Sequence, residues 1–161
     1  MDEALKAKIL DELEHHHVMT LATIRPDGFP QATTVNYVHD DLTLYFAANA
    51  GSQKAGNIKL NNKVSAAIAS EAQNIFELRG LSLSGLAERI VDEQEAQRWS
   101  LALFRTLPQS RRLVPADPKD LAVFAITPVA ISLIDYASGF GKTYLLELPK
   151  MWPAPRGGTS S

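Results

Sequence analysis

The chain has 161 residues, 45% of them hydrophobic and 21% charged, with a net charge of -2 and no cysteine. That length suits one globular domain, and a near-neutral balance without a Lys/Arg run argues against nucleic acid as a partner. The missing cysteine removes disulfides, thiolate metal sites and cysteine nucleophiles.

The acidic start, MDEALKAKILDELEHHH, has Leu5, Ile9 and Leu13 at four-residue spacing, which predicts a short amphipathic helix lying on the core. It lacks the basic and continuously apolar segments of an export signal, and no run of ~20 apolar residues follows. The expectation is a cytoplasmic protein with no membrane partner. His15, His16 and His17 are consecutive, so on a helix they point in different directions and do not make a metal site.

Residues 18–24 (VMTLATI) are rich in strand formers, and the turn Arg25-Pro26-Asp27-Gly28 joins them to a second extended run at 30–37. A further turn at His39-Asp40-Asp41 leads into 42–48, giving three strands in the order of a meander. Strand character returns at 64–69 and over 76–90, where Gly80 and Gly85 point to a bulge or a close backbone approach. Asp92 and Glu95 have capping-box spacing at the head of a helix through Trp99, Leu103 and Phe104, read as core residues, which ends near Pro108. The proline-rich stretch to Pro118, with Arg111 and Arg112, is read as a loop. Two closing strands are expected at 122–127 and 130–136, separated by Pro128. Gly141-Lys142-Thr143 ends like a phosphate loop, but Tyr136 stands where that motif needs its first glycine. The domain is placed at 1–148, and 149–161, with Trp152 and Arg156, is read as a tail, loose or wrapped on a partner.

The most informative junction is Ala47-Ala48-Asn49-Ala50-Gly51-Ser52-Gln53-Lys54. Ser52 is a good N-cap for a helix starting at Gln53, and Gly51 frees the backbone before it. The N-terminus of a helix carries roughly half a positive charge, so a lysine in the first turn is unfavourable unless an anion sits there. Ser52, the first-turn amides and Lys54 could cradle a phosphate monoester, and the alanines leave room for a flat ring.

In order and spacing, MTLATIRPDGFPQATTVNYV, LYFAANAGSQKAGNIKLNNKVSAAIA and RGLSLSGLAERI resemble the flavin-binding split barrels related to pyridoxamine 5'-phosphate oxidase. ITPVAISLIDYASGFG resembles the last strands of the smaller members. The resemblance implies a mainly β fold, a six-stranded FMN-binding split barrel of Greek-key type with peripheral α-helices. It also implies a homodimer with FMN at the interface and a small-molecule substrate. On the family pattern Ser52 and Lys54 fall on the phosphate-binding serine and lysine, and Gln53 on a position that is commonly arginine. Thr33 replaces an arginine of the oxidases, Thr34 and Val35 follow along the ring, and Ala48 and Asn49 lie under the ring and ribityl chain. Gly80 replaces a glutamine that reaches the flavin. The tail lacks the arginine and histidine pair that holds the oxidases' vitamin substrate, so that reaction itself is not expected. Flavin oxidoreduction on another molecule leads. A flavin store or sensor, a member holding deazaflavin, or one holding haem on an imidazole from His15 to His17 or His39, remains open.

Overall fold

A computed structural model describes residues 1–69 and 71–149. Its eight strands form a single sheet in which every pairing is antiparallel: β1 (Val18–Ile24), β2 (Pro30–Asn36), β3 (Val38–Asp40), β4 (Thr43–Asn49), β5 (Lys63–Ala69), β6 (Arg79–Arg89), β7 (Leu121–Asp135) and β8 (Thr143–Glu147). The spatial order is β2-β1-β5-β6-β7-β4-β3, with β8 paired to β7. The sheet curls until β2 approaches β4, making a half-barrel with helices α1 (Glu3–His15), α2 (Gln53–Leu60) and α3 (Glu93–Thr106) at its periphery. Among the described residues, no helix is long and apolar enough to cross a membrane.

Alternation builds the inner face. In β5 the odd positions are exposed, while Val64, Ala66 and Ile68 enter the core. They meet Met19 and Leu21 from β1, Leu81 and Leu83 from β6, Ile131 and Leu133 from β7, and Ile9 and Leu13 of α1, the helix predicted from its four-residue spacing. A smaller cluster lies on the other side of β4, where Trp99 of α3 stacks on Tyr45 with ring centroids 3.7 Å apart. Asp2 and Asp92 cap α1 and α3 by accepting the Leu5 and Glu95 amides at 3.0 and 2.8 Å.

Three expectations about the strands need correction. The segments around Pro128 form one continuous strand, β7, because the missing proline amide is absorbed by a bulge. The register steps from Ser84↔Ala130 to Gly85↔Pro128, so Val129 has no partner in β6. The first strands do not form a three-strand meander: β4 pairs with β3 and β7, and it faces β2 only where the curled sheet closes. Among the described residues there are eight strands rather than six: β3, of three residues, is too short to read in advance, and β8, of five residues with only Tyr144 and Leu146 turned inward, offers little more. The loop before β7 contains two short 3-10 turns, Pro108–Leu113 and Pro118–Asp120.

Gly85 is required sterically. A Cβ there would lie 2.7 Å from Ile126 Cγ2 and 2.9 Å from the Thr127 carbonyl oxygen, and the carbonyl is backbone that cannot swing aside. We expect Gly85→Ala to destabilise the fold by about 1–3 kcal/mol, the usual range for overpacking. Thermal denaturation checks this, and an unchanged midpoint would remove the bulge from the account.

Candidate functional site

The chain leaves β4 at Asn49 and must reach β5, from which β6 and β7 separate it. The crossing helix is α2, and the junction before it is tightly hydrogen-bonded. The Asn49 side-chain oxygen accepts the Gly51 amide at 2.8 Å, the Asn49 carbonyl accepts the Ser52 amide at 3.0 Å, and the Asp120 carbonyl accepts the Ala50 amide at 2.7 Å. Ser52 Oγ then accepts the Ala55 amide at 3.3 Å, making it the N-cap that its sequence context predicts. A hydroxyl that accepts one bond can still donate its proton. The first turn contains no acidic residue, whereas α1 and α3 both begin with acids. Lys54 is half-buried and forms no ion pair among the described residues.

Below that turn lies a polar residue the sequence reading missed. Asn57 is 0% exposed; its amide nitrogen donates to Thr23 Oγ1 at 3.0 Å and Gln31 Oε1 at 3.3 Å, and its oxygen accepts from Gln53 Nε2 at 2.9 Å. A buried amide stays only where its donors and acceptors are satisfied, so this set ties α2 to β1 and β2. The four-residue spacing of Gln53 and Asn57 was the available signal. Gln53, an exposed residue of the first turn, therefore spends its side-chain amide on Asn57.

The remaining expected residues divide between two places. Gln31, Thr33 and Val35 share the inward-turning side of β2, so Thr33 neighbours the Gln31 that binds α2; Thr34 is exposed on the other side. Ala48 turns its methyl into the core, while Asn49 is exposed at the head of the junction. Gly80 lies elsewhere, between Ala69 of β5 and Ile134 of β7. Asn49 pairs with Leu121 at the opposite end of β7, so within one chain roughly 40 Å of strand path, at about 3.3 Å per residue, separates Gly80 from the Ser52 junction. A Cβ on Gly80 would be 3.0 Å from the Ile68 carbonyl oxygen. Arg111 and Arg112 are exposed, and Trp152 and Arg156 lie outside the described residues.

The Gly80 end has its own ionic cluster. Arg79 reaches Glu12 of α1 and Asp135 of β7, each at 3.6 Å, and His16 lies 3.4 Å from Glu12. Burial opposes ionisation of Asp135, but hydrogen bonds from the Ser138 hydroxyl and Ala137 amide, each at 3.1 Å, together with Arg79, outweigh it and hold the carboxyl below its usual range.

Two cavities stand out. One of about 630 Å³ opens on the outer side of the sheet between Ala22, Ile24, Ser84, Leu86 and Val129; neither Ser52 nor Lys54 lines it. The other, about 170 Å³, lies among His16, His17, His39, Glu14 and Tyr37. His39 is held at both ring nitrogens, 2.9 Å from the Asp41 carbonyl and 3.0 Å from Glu14. Among the described residues, no group of three or more acidic or histidine side chains is placed to hold a metal ion.

The profile of the pyridoxamine 5'-phosphate oxidase family matches residues 5–135, from α1 to the end of β7. The chain belongs to this family. General stress protein 26 of Bacillus subtilis (strain 168) is 27% identical over 143 residues, which cover 80% of this chain and 96% of that protein. A Listeria innocua structure, provisionally named as a pyridoxamine 5'-phosphate oxidase, is 27% identical with a TM-score of 0.66, covering 81% of this chain and 98% of its own. A haem-binding protein of Mycobacterium smegmatis shares the fold with a TM-score of 0.71 at 19% identity, over 84% of this chain and 56% of its own.

Two measurements check the framework of the site. Asn57→Ala leaves Thr23 and Gln31 with an unfilled buried gap, so we expect about 1–3 kcal/mol of lost stability in chemical denaturation. For Asp135 the folded pKa lies below the unfolded value near 3.9. Its stabilisation is therefore present above that value and fades as pH falls through the lower folded one. Asp135→Asn should melt below the parent at neutral pH, with the gap closing in acid; a gap independent of pH would show that the charge contributes nothing.

Proposed function

We propose that this chain is a flavoprotein that holds FMN with its phosphate at the head of α2 and acts as an oxidoreductase on a small molecule. The observation that carries the reading is Lys54: a half-buried cation in the first turn of a serine-capped helix that has no acid there to balance it. Helix dipole and lysine repel unless an anion lies between them, and a phosphate monoester accepts from amides, hydroxyl and ammonium together. Membership of the pyridoxamine 5'-phosphate oxidase family supports the same ligand.

The residues present suit that group. Ser52 donates its hydroxyl proton, Lys54 supplies charge, and Asn49 keeps its amide hydrogens free because only its oxygen is engaged in the turn. Gln53 and Asn57 hold α2 at the proper angle. Thr33, Thr34 and Val35 supply the strand along the ring, and Ala48 offers backbone and small size. Bound flavin carries hydride and electrons itself, so the protein's part is to orient it and exclude water. Gly80 joins this arrangement only from a second copy, because within one chain it lies at the far end of the sheet; this favours a homodimer with FMN at the interface.

A haem reading draws on the fold shared with the M. smegmatis protein and on the cavity that His16, His17 and His39 line. That cavity, about 170 Å³, falls below the ~300–1,000 Å³ usual for ligand pockets, and His39 already has partners on both nitrogens. FMN is the better supported ligand.

Titration followed by flavin fluorescence tests the proposal. Lys54→Glu should weaken FMN about 10–100-fold, the loss of one charge-assisted hydrogen bond. Lys59→Glu, the same charge change at the other end of α2, should leave affinity near the parent's. Equal binding by Lys54→Glu and parent would end the phosphate assignment, and a Soret band on haemin titration with no flavin uptake would favour haem. Reduction of the bound flavin by NADH or NADPH separates an oxidoreductase from a flavin store.

A further inference from the structure

The outer side of an antiparallel sheet that faces water ordinarily carries polar side chains. Here the polar groups are short hydroxyls with alanine between them. Register brings Thr34, Thr20, Ala67, Ser82 and Ser132 into one row across β2, β1, β5, β6 and β7. The row beside it runs from Ala32 through Ser65 and Ser84 to Ala130, and neither row holds a charge. Next to this second row lies the cavity of about 630 Å³, walled by Ile24, Leu86 and Val129. The hollow follows from the bulge, which lifts Val129 out of the ladder beside Gly85.

The opposite end of the same sheet carries the apolar groups that such a hollow lacks. The chain passes from β5 to β6 through a 3-10 turn, Ile75–Glu77, where Ile75 and Phe76 are 52% and 67% exposed. A second turn, Tyr136–Ser138, packs beside it, with the Tyr136 amide donating to the Leu78 carbonyl at 3.1 Å. Phe140, 91% exposed, meets the Tyr136 ring edge-on. Large apolar groups exposed together mark a surface that another molecule covers.

Hollow and knob are related by symmetry. In β6, Leu86 lies four residues beyond Ser82, and the turn bearing Phe76 ends four residues before it, at Leu78. A two-fold axis along the row from Thr34 to Ser132 reverses strand direction between copies and keeps each strand over its own counterpart. It carries the Phe76 turn of one copy onto the hollow of the other, and such a contact closes at two copies. Six neighbouring strands, β2-β1-β5-β6-β7-β8, span ~24 Å at about 4.8 Å spacing, and the seven residues of β1 span ~23 Å. Two copies would thus cover roughly 1,100 Å² in plan, above the ~1,000 Å² that a specific interface needs.

We propose that this outer face is where two copies of the chain join, with Phe76 of each seated in the other's hollow between Ile24, Leu86 and Val129. This deepens the homodimer of the flavin reading by naming its face and its anchor, and it does not depend on the ligand. The reversal also sets the Gly80 end of one copy beside the opposite end of its partner.

Sedimentation of the flavin-free, full-length protein tests it, and the expected result is a dimer at micromolar concentration. Ala67→Arg, which sets two cations against each other on the axis, should give a monomer with the parent's far-UV circular dichroism; if it does not fold, Ser82→Arg takes its place. Phe76→Ser should raise the dimer dissociation constant about 100-fold, since two rings leave their hollows together. Cross-linking reads the position. The chain has no cysteine, so Phe76→Cys mixed with Leu86→Cys should form a disulfide between chains in air, while neither variant alone does. A monomeric parent would overturn the proposal, as would a dimer that the arginine variant leaves intact or a mixture that gives no cross-link. A monomer whose hollow takes up an apolar dye would assign that hollow to a small molecule instead. FMN uptake by a monomeric parent would sink this interface and leave the phosphate cradle standing; a flavin-free dimer that takes up no FMN would do the reverse.

Discussion

Where α2 may lie is decided by a side-chain amide with no access to water. Asn57 can keep its buried nitrogen and oxygen only if Thr23, Gln31 and Gln53 meet them together, and those three residues sit on β1, β2 and the helix itself. An unsatisfied buried amide costs far more than a satisfied one returns, so the set works as a lock rather than as a source of large net stability. It holds the helix across the end of the half-barrel and thereby aims the Ser52 terminus. The hydrogen-bonded turn from Asn49 to Ser52, anchored to the Asp120 carbonyl, fixes the other approach to the same point. A ligand at that point would meet groups already oriented, which lowers the ordering cost of binding.

Much of this was legible in the sequence because the signals were local. The Ser52 cap, the Asp92 cap, the Leu5/Ile9/Leu13 stripe and the strand-forming runs of β1 and β5 depend on neighbours a few positions away, and each element appears where the local pattern placed it. What was not legible depends on pairing between distant segments. Pro128 looked like a strand break because proline lacks an amide, yet opposite Gly85 the ladder needs none there. Asn57 looked like an ordinary helix polar residue, since nothing local says that Thr23 and Gln31 converge on it. The separation of Gly80 from Ser52 follows from register along β7, which one chain's local pattern does not encode.

Charge is distributed to match. The first turns of α1 and α3 carry acids that balance their helix dipoles, and Lys6 of α1 is paired to Asp41 at 2.9 Å. At the far end of the sheet, Arg79 joins α1, β6 and β7 through two carboxylates. Against that background Lys54 is the exception, and exceptions to local rules tend to mark binding sites.

One strand also has to serve two neighbours along the same edge. The first half of β7 pairs with β4 over Leu121–Ile126, and past the bulge β8 takes over from Ala130 to Ile134. Without β8, that second half would expose a row of unpaired amides and carbonyls, the kind of edge on which chains stack into aggregates. The modest five-residue strand thus acts as a solubility device as well as a supplier of core: trimming the chain ahead of Thr143 would take Leu146 from the inner cluster and bare that edge together, and clumping during expression would follow.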